Sequence, residues 1–206
     1  MPRMGDRPMR RRLLSALLSG TALVWSRAQT QAQTQAQTQA PARPDARKAE
    51  LDRAFDALRT APNEVGAALV EARIRALWAQ GASPAAALLL RRGARNLEAR
   101  LSGEALEDFD AAITLAPEFA DAWFLRAQAY LGAGDPAAAA RDLQEVLRLE
   151  PRHWPALVTL STIQDQAGDA RGALRSLSAA LGINPQMPGG AARLREQRRK
   201  AEGEAT

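Results

Sequence analysis

Residues 120–153 read ADAWFLRAQAYLGAGDPAAAARDLQEVLRLEPRH, and the same 34-residue frame fits the flanking stretches 86–119 and 154–187 without a gap. Three prolines, Pro117, Pro151 and Pro185, fall at position 32 of the frame. Self-similarity at a fixed period of this size means a tandem array, in which each unit buries its apolar face against its neighbours. A breaker divides each unit: Gly132, Gly134, Asp135 and Pro136 in the middle one, Gly168 and Asp169 in the third, Ser102 and Gly103 in the first. Proline cannot continue a helix and disfavours helical dihedrals in the residue before it, so the second helix of each unit stops at position 32. The unit is a hairpin of two helices.

The columns of the frame say how the two helices meet. Position 8 reads Gly93, Ala127, Ser161 and position 20 reads Ala105, Ala139, Ala173, so the helices cross where small side chains allow close approach. Position 24 (Phe109, Leu143, Leu177) and position 27 (Ala112, Val146, Ala180) give the second helix an apolar stripe that must be covered. Position 4 reads Leu89, Trp123, Leu157 and position 11 reads Asn96, Tyr130, Gln164, so the middle unit alone keeps an aromatic at both.

These columns resemble the tetratricopeptide repeat. The resemblance implies an all-α, right-handed solenoid of antiparallel helix hairpins, with three clear repeats at 86–119, 120–153 and 154–187. The string Glu150-Pro151-Arg152-His153-Trp154-Pro155-Ala156-Leu157, with Ile74, Leu77, Trp78, Ser83 and Pro84 ahead of the repeats, is similar to a group of exported alphaproteobacterial repeat proteins of unassigned function. The resemblance further implies a concave surface on the first helix of each unit, chiefly at positions 2, 5, 9 and 12. Position 5 is Leu90, Phe124, Val158 and position 9 is Ala94, Gln128, Thr162, which makes these six the candidate partner-binding groove. Repeats that clamp an acidic carboxy-terminal tail use Lys at position 5 and Asn at positions 6 and 9; position 6 here is Arg91, Leu125, Thr159, so that clamp is missing. The expected ligand is an apolar or amphipathic peptide or helix.

Outside the array the chain changes character. Arg10, Arg11 and Arg12 precede an apolar run from Leu13 to Trp25, and Ser26-Arg27-Ala28 offers small residues for a signal peptidase, so residues 1–28 read as a signal peptide cut between Ala28 and Gln29. The run is shorter than the ~20 residues of a membrane span. The arginines also resemble a twin-arginine export signal, with Met9 where Ser or Thr is usual. Residues 29–45 alternate Gln with Thr or Ala and then carry Pro41 and Pro44, a disordered linker with nothing to repay the entropy of ordering. In 46–85, Leu51, Phe55 and Leu58 and then Leu69, Ile74, Leu77 and Trp78 mark two helices, a degenerate pair expected to shield the first hairpin. Residues 188–206 hold a capping helix near 191–201 and a tail.

Charge and chemistry exclude more than they include. The whole chain has 28 basic and 23 acidic side chains, but residues 1–28 hold six Arg against Asp6, which leaves 28−6=22 basic and 23−1=22 acidic in the processed chain. Nucleic-acid binding needs a persistent cationic face, and this excess is discarded. One histidine, His153, and no cysteine leave no Cys or His metal cluster, no Cys-His pair and no disulfide within one chain, and no Ser-His-Asp triad is expected; no cofactor is expected, and His153 is placed in a turn. Glu104, Glu107, Asp108 and Asp110 complement the start of a helix. The reading is a non-enzymatic adaptor or scaffold of the bacterial envelope, periplasmic or secreted, binding a protein or peptide partner. The alternatives are a self-associating module with Trp123, Phe124 and Trp154 exposed, and a carboxylate-dependent cell-wall glycosidase.

Overall fold

The computed structural model describes residues 44–203, and among them every regular element is a helix. The helices are α1 (Pro44–Arg59), α2 (Glu64–Ala79), α3 (Pro84–Glu98), α4 (Ser102–Leu115), α5 (Ala120–Gly132), α6 (Pro136–Leu149), α7 (Trp154–Gln166), α8 (Ala170–Ile183) and α9 (Gly190–Gly203). The hairpins α3–α4, α5–α6 and α7–α8 are the three repeats, stacked through α4 on α5 and α6 on α7. Pro117, Pro151 and Pro185 each lie two residues beyond the end of a second helix. The signal-peptide and cleavage expectations at Ala28 and Gln29, and most of the linker, lie outside the described residues.

The crossing columns are the core of each hairpin. Ala105, Ala139 and Ala173 are wholly buried, as are Ala112, Val146 and Ala180. Positions 8 and 24 are matched in volume. A Cβ placed on Gly93 would sit 2.6 Å from Cε1 of Phe109, whereas in the second repeat Ala127 shares a buried cluster with the smaller Leu143, and the third repeat has Ser161 and Leu177 at these positions. Ser161 also satisfies its hydroxyl, donating to the carbonyl of Ala173 at 2.8 Å.

Turn chemistry within the repeats is shared at the backbone. Gly134 and Gly168 take positive φ, the left-handed conformation that follows a helix at no Cβ cost. The next residue, Asp135 or Asp169, caps the second helix by accepting from the amide of Ala138 (2.8 Å) or Gly172 (2.7 Å). The first repeat departs from expectation. Ser102 and Gly103 are already inside α4, and the chain reverses at Arg100, the one non-glycine residue at positive φ (62°) among the described residues. The closing bonds are those of the other turns, Leu101 N–H to Asn96 O at 2.9 Å and Arg100 N–H to Leu97 O at 3.0 Å, but Leu101 offers no side-chain cap.

A second pair of columns carries charge. Arg92 and Asp108, and Arg126 and Asp142, occupy positions 7 and 23 of the first two repeats and join the two helices of each hairpin. Asp108 and Asp142 are buried, so each carboxylate depends on its guanidinium. Arg126 also reaches Asp110 of the preceding repeat at 2.6 Å and stacks over Trp123, with its centre 4.8 Å from the ring. Hydrogen bonding to Asp142 outweighs desolvation and raises the Arg126 pKa above its ordinary value. The third repeat has Leu160 and Ser176 there, and Ser176 donates instead to Gln164 at 2.7 Å.

Candidate functional site

The two helices ahead of the array do not shield the first hairpin. α1 packs on α2 and reaches α8, and no comparable packing joins α2 to α3, its neighbour in sequence. The apolar face built by Phe55, Leu58, Ala67 and Ile74 is buried against Trp154 and Ala180, with Leu157, Val158 and Ile183 around them. The amphipathic pair found its cover on the third repeat, about a hundred residues along the chain.

Three consecutive residues receive it. Arg152 donates to Asp52 at 2.7 Å and lies over the Phe55 ring, 4.1 Å from its centre. Burial acts to lower the Arg152 pKa, but its bonds to Glu150 and Asp52 raise it overall, so it is a fixed cation. His153 is 1% exposed and stacks on Trp78 with centroids 4.5 Å apart and planes 14° from parallel. Trp154 meets Phe55 edge-on at 6.2 Å and Trp78 at 5.3 Å. His153 is the turn residue expected, and it caps α7: its Nδ1 accepts from the Ala156 amide at 3.1 Å, which leaves the ring proton on Nε2, 3.2 Å from Asp121 Oδ1. At the other end of the hairpin, buried Asn184 donates to Glu71 at 2.6 Å.

The six groove candidates are distributed over this landscape. Leu90 and Ala94 line an open cavity of about 400 Å³ together with Ala79 of α2, Phe119 and Leu125, with Arg91 and Asp121 also in its wall. Phe124 is half-buried with its ring 4.8 Å from that of His153, and Val158 is half-buried in the cluster under α1–α2. Gln128 donates to Thr159 at 3.3 Å, and exposed Thr162 bonds back to its own helix at Val158 O. At position 5, Leu90 is buried where it lines this cavity, and Phe124 and Val158 are half-buried. Of the suggested aromatic patch, Trp154 is buried and Trp123 and Phe124 are half-buried.

Two features of the site had little or no signal in the columns. One is the Arg–Asp pair at positions 7 and 23, whose signal was a 16-residue spacing recurring 34 residues later. The other is the outer face of α2, where Val65, Leu69, Ala72, Ala76 and Ala79 fall at helical spacing; Val65 is 73% and Leu69 72% exposed. No helix among the described residues is long and apolar enough to cross a membrane.

Equal-length helix hairpins stacked in one direction, with small-residue crossings and a proline after each, define an α-helical repeat protein of the solenoid class. Tetratricopeptide-repeat models match residues 95–139 and 130–196, and the chain is a tetratricopeptide-repeat protein. It is similar to a TPR repeat-containing protein of Rhizobium etli, an alphaproteobacterium, with 29% identity over 138 residues, 67% of this chain and 68% of the relative. Among solved structures it is similar to the Sgt2 TPR domain from Aspergillus fumigatus (TM-score 0.56, 20% identity, 61% of this chain and 84% of that one). The TPR2B domain of yeast Sti1 in complex with pHsp70 gives 0.53 at 22% identity, 59% and 99%. The first TPR of Spaghetti (RPAP3), bound to the HSP90 peptide SRMEEVD, gives 0.54 at 18%, 57% and 93%. At these identities the likeness is one of fold.

Proposed function

We propose that this chain is a non-enzymatic protein-interaction module, an adaptor or scaffold, which takes an amphipathic helix along the outer face of α2 into the cavity at the first repeat. The observation that carries this reading is the continuity of the apolar surface: Val65 and Leu69 lead down α2 to Ala79, and Ala79 shares the cavity wall with Leu90, Ala94 and Leu125. Two large, strongly exposed apolar side chains on one helix face, running into a pocket, are the form of a helix-in-groove site. At its mouth Asp121 is engaged by His153 while Arg91 is exposed, which favours a ligand with an acidic edge. Two solved structures of the same fold hold peptide or chaperone ligands, which supports the class of binding. The acidic-tail mode is not favoured, because position 5 is Leu90, Phe124 and Val158. Nor does the structure favour a carboxylate enzyme: the buried acids Asp108 and Asp142 are held by arginines inside the hairpins.

A photo-crosslinking residue at Ala94 in intact cells tests the site. The expected product joins Ala94 to an amphipathic segment of another protein and is lost in a Leu125→Arg variant whose melt is unchanged. Crosslinks only between copies of the chain would establish the self-associating reading, and unaltered crosslinking in Leu125→Arg would remove the cavity from the site. We further infer export to the periplasm or medium with cleavage between Ala28 and Gln29, supported by the arginines and apolar run of residues 10–25. Intact mass of envelope-recovered protein should begin at Gln29; cytoplasmic protein retaining residues 1–28 refutes it.

A further inference from the structure

We propose that the α1–α2 hairpin is a displaceable internal ligand, and that the Arg152–His153–Trp154 surface beneath it is a docking site for an amphipathic helix bearing a carboxylate and an aromatic ring three residues apart. The proposal extends the interaction reading above to a second surface. The hairpin itself shows what that surface recognises. Asp52 and Phe55, three apart on α1, engage one side chain: the carboxylate takes an N–H of the Arg152 guanidinium and the ring takes its face. A planar, permanently charged group presented this way, beside the buried aromatic rings of His153 and Trp154, is a specific reader rather than general apolar cover.

Three observations mark the cover as removable. First, the hairpin is continuous with the array only through residues 80–83 and packs poorly on the adjoining repeat, so it can lift away without disturbing a repeat-to-repeat contact. Second, the latch is incompletely satisfied: Trp78 Nε1 and Asn184 Oδ1 are buried without hydrogen-bond partners, so closure carries a desolvation cost that opening relieves. Third, α2 is apolar on both faces, since Ile74 and Leu77 are buried while Val65 and Leu69 on the opposite side are exposed. A partner on the outer face can therefore hold the hairpin as it leaves the latch, since it occupies none of the residues that close it. The first two hairpins draw no core residue from α1 or α2; the third exposes Trp154 and Ala180 when the cover lifts, with Leu157, Val158 and Ile183 around them.

The test uses the full chain and, as probe, a fluorescent synthetic peptide of residues 44–82. Hydrogen exchange of the unaltered protein should show α1–α2 amides exchanging at least tenfold faster than those of α7. A full-length Asp52→Arg, Phe55→Ala variant, which weakens its own hairpin, should bind the peptide at least tenfold more tightly than the unaltered chain. Adding Arg152→Glu should return binding to background, and the peptide carrying Phe55→Ala should bind at least tenfold more weakly. Equal exchange of α1–α2 and α7, or equal peptide affinity of the opened and unaltered chains, would overturn the proposal. An opened variant recovered as a peptide-excluding dimer would overturn it in favour of hairpin exchange between two copies. Leu125 is not part of the latch, so peptide binding that survives Leu125→Arg upholds this site even where the cavity reading fails.

Discussion

Replacing Gly93 by Ala should destabilise the first repeat, although the same change usually strengthens a helix. The new Cβ would lie 2.6, 2.9 and 3.0 Å from three carbons of the Phe109 ring, which is wholly buried and has no free side to retreat into. Overpacking of this kind costs about 1–3 kcal/mol. Alanine recovers roughly 1 kcal/mol of helix propensity, so the net loss is about 1 kcal/mol. The diagnostic quantity is the coupling with Phe109→Leu. Alone, that change leaves part of the ring's volume empty and costs on the order of 1–2 kcal/mol. Together the two substitutions recreate the Ala127–Leu143 crossing of the second repeat, so the double variant should be more stable than the sum of the singles by about 1 kcal/mol or more. Urea melts followed by far-UV circular dichroism, with the slope checked for constancy, supply all four corners of the cycle. Additive losses, with no coupling beyond error, would refute the claim that positions 8 and 24 share one volume.

Installing the turn of the later repeats in the first, by Arg100→Gly with Leu101→Asp, should stabilise the chain by about 1–2 kcal/mol through relief of the left-handed arginine and a new helix cap, read as a raised Tm. Arg126→Met should cost about 3 kcal/mol because Asp142 stays buried without its partner, and Asp142→Asn in the same chain should restore part of the loss; an unchanged urea midpoint in Arg126→Met would contradict the buried-pair assignment. Lys200, through its hydrogen bonds, holds the Asp165 carboxyl below its ordinary pKa. The stability this lends α9 is complete above about pH 4 and is lost as the pH falls through the lowered folded value, so the Tm difference between the unaltered chain and Lys200→Met should close on acidification from pH 5 to pH 2.

The array was legible in the sequence because a repeated constraint leaves a repeated residue. Ala at position 20 and the bulky apolar residue at position 24 recur since every crossing has the same shape. The Arg–Asp column was harder to see, because both residue types are common on the surface of this arginine-rich chain and only their spacing betrays them. The first turn misled for a different reason. Gly103 offered the composition of a breaker, yet the backbone bonds at the end of α3 fix the reversal at Arg100 and impose the left-handed conformation on a residue that does not favour it. Docking of α1–α2 had no periodic trace at all, since Asp52 meets Arg152 and Glu71 meets Asn184 once each across most of the folded chain. The unusual string Pro151–Trp154 was visible as a string, and its role required the three-dimensional partner. For the groove, position 5 predicted a common surface from column identity, and what the columns do not encode is which part of that surface another segment covers.

The separation between Asp52 and Arg152 also has a consequence in time. During synthesis the repeats can form in order, each on the one before it, but α1–α2 leaves the ribosome about a hundred residues ahead of the surface that covers it. At typical elongation rates that interval is roughly 5–20 seconds, long compared with helix formation. The first helices made can dock only once the third repeat has emerged, and until then Phe55, Ile74 and Trp78 are available to whatever escorts a nascent chain. A leader attached just upstream would thus be followed by a segment that stays unlocked until translation is nearly complete.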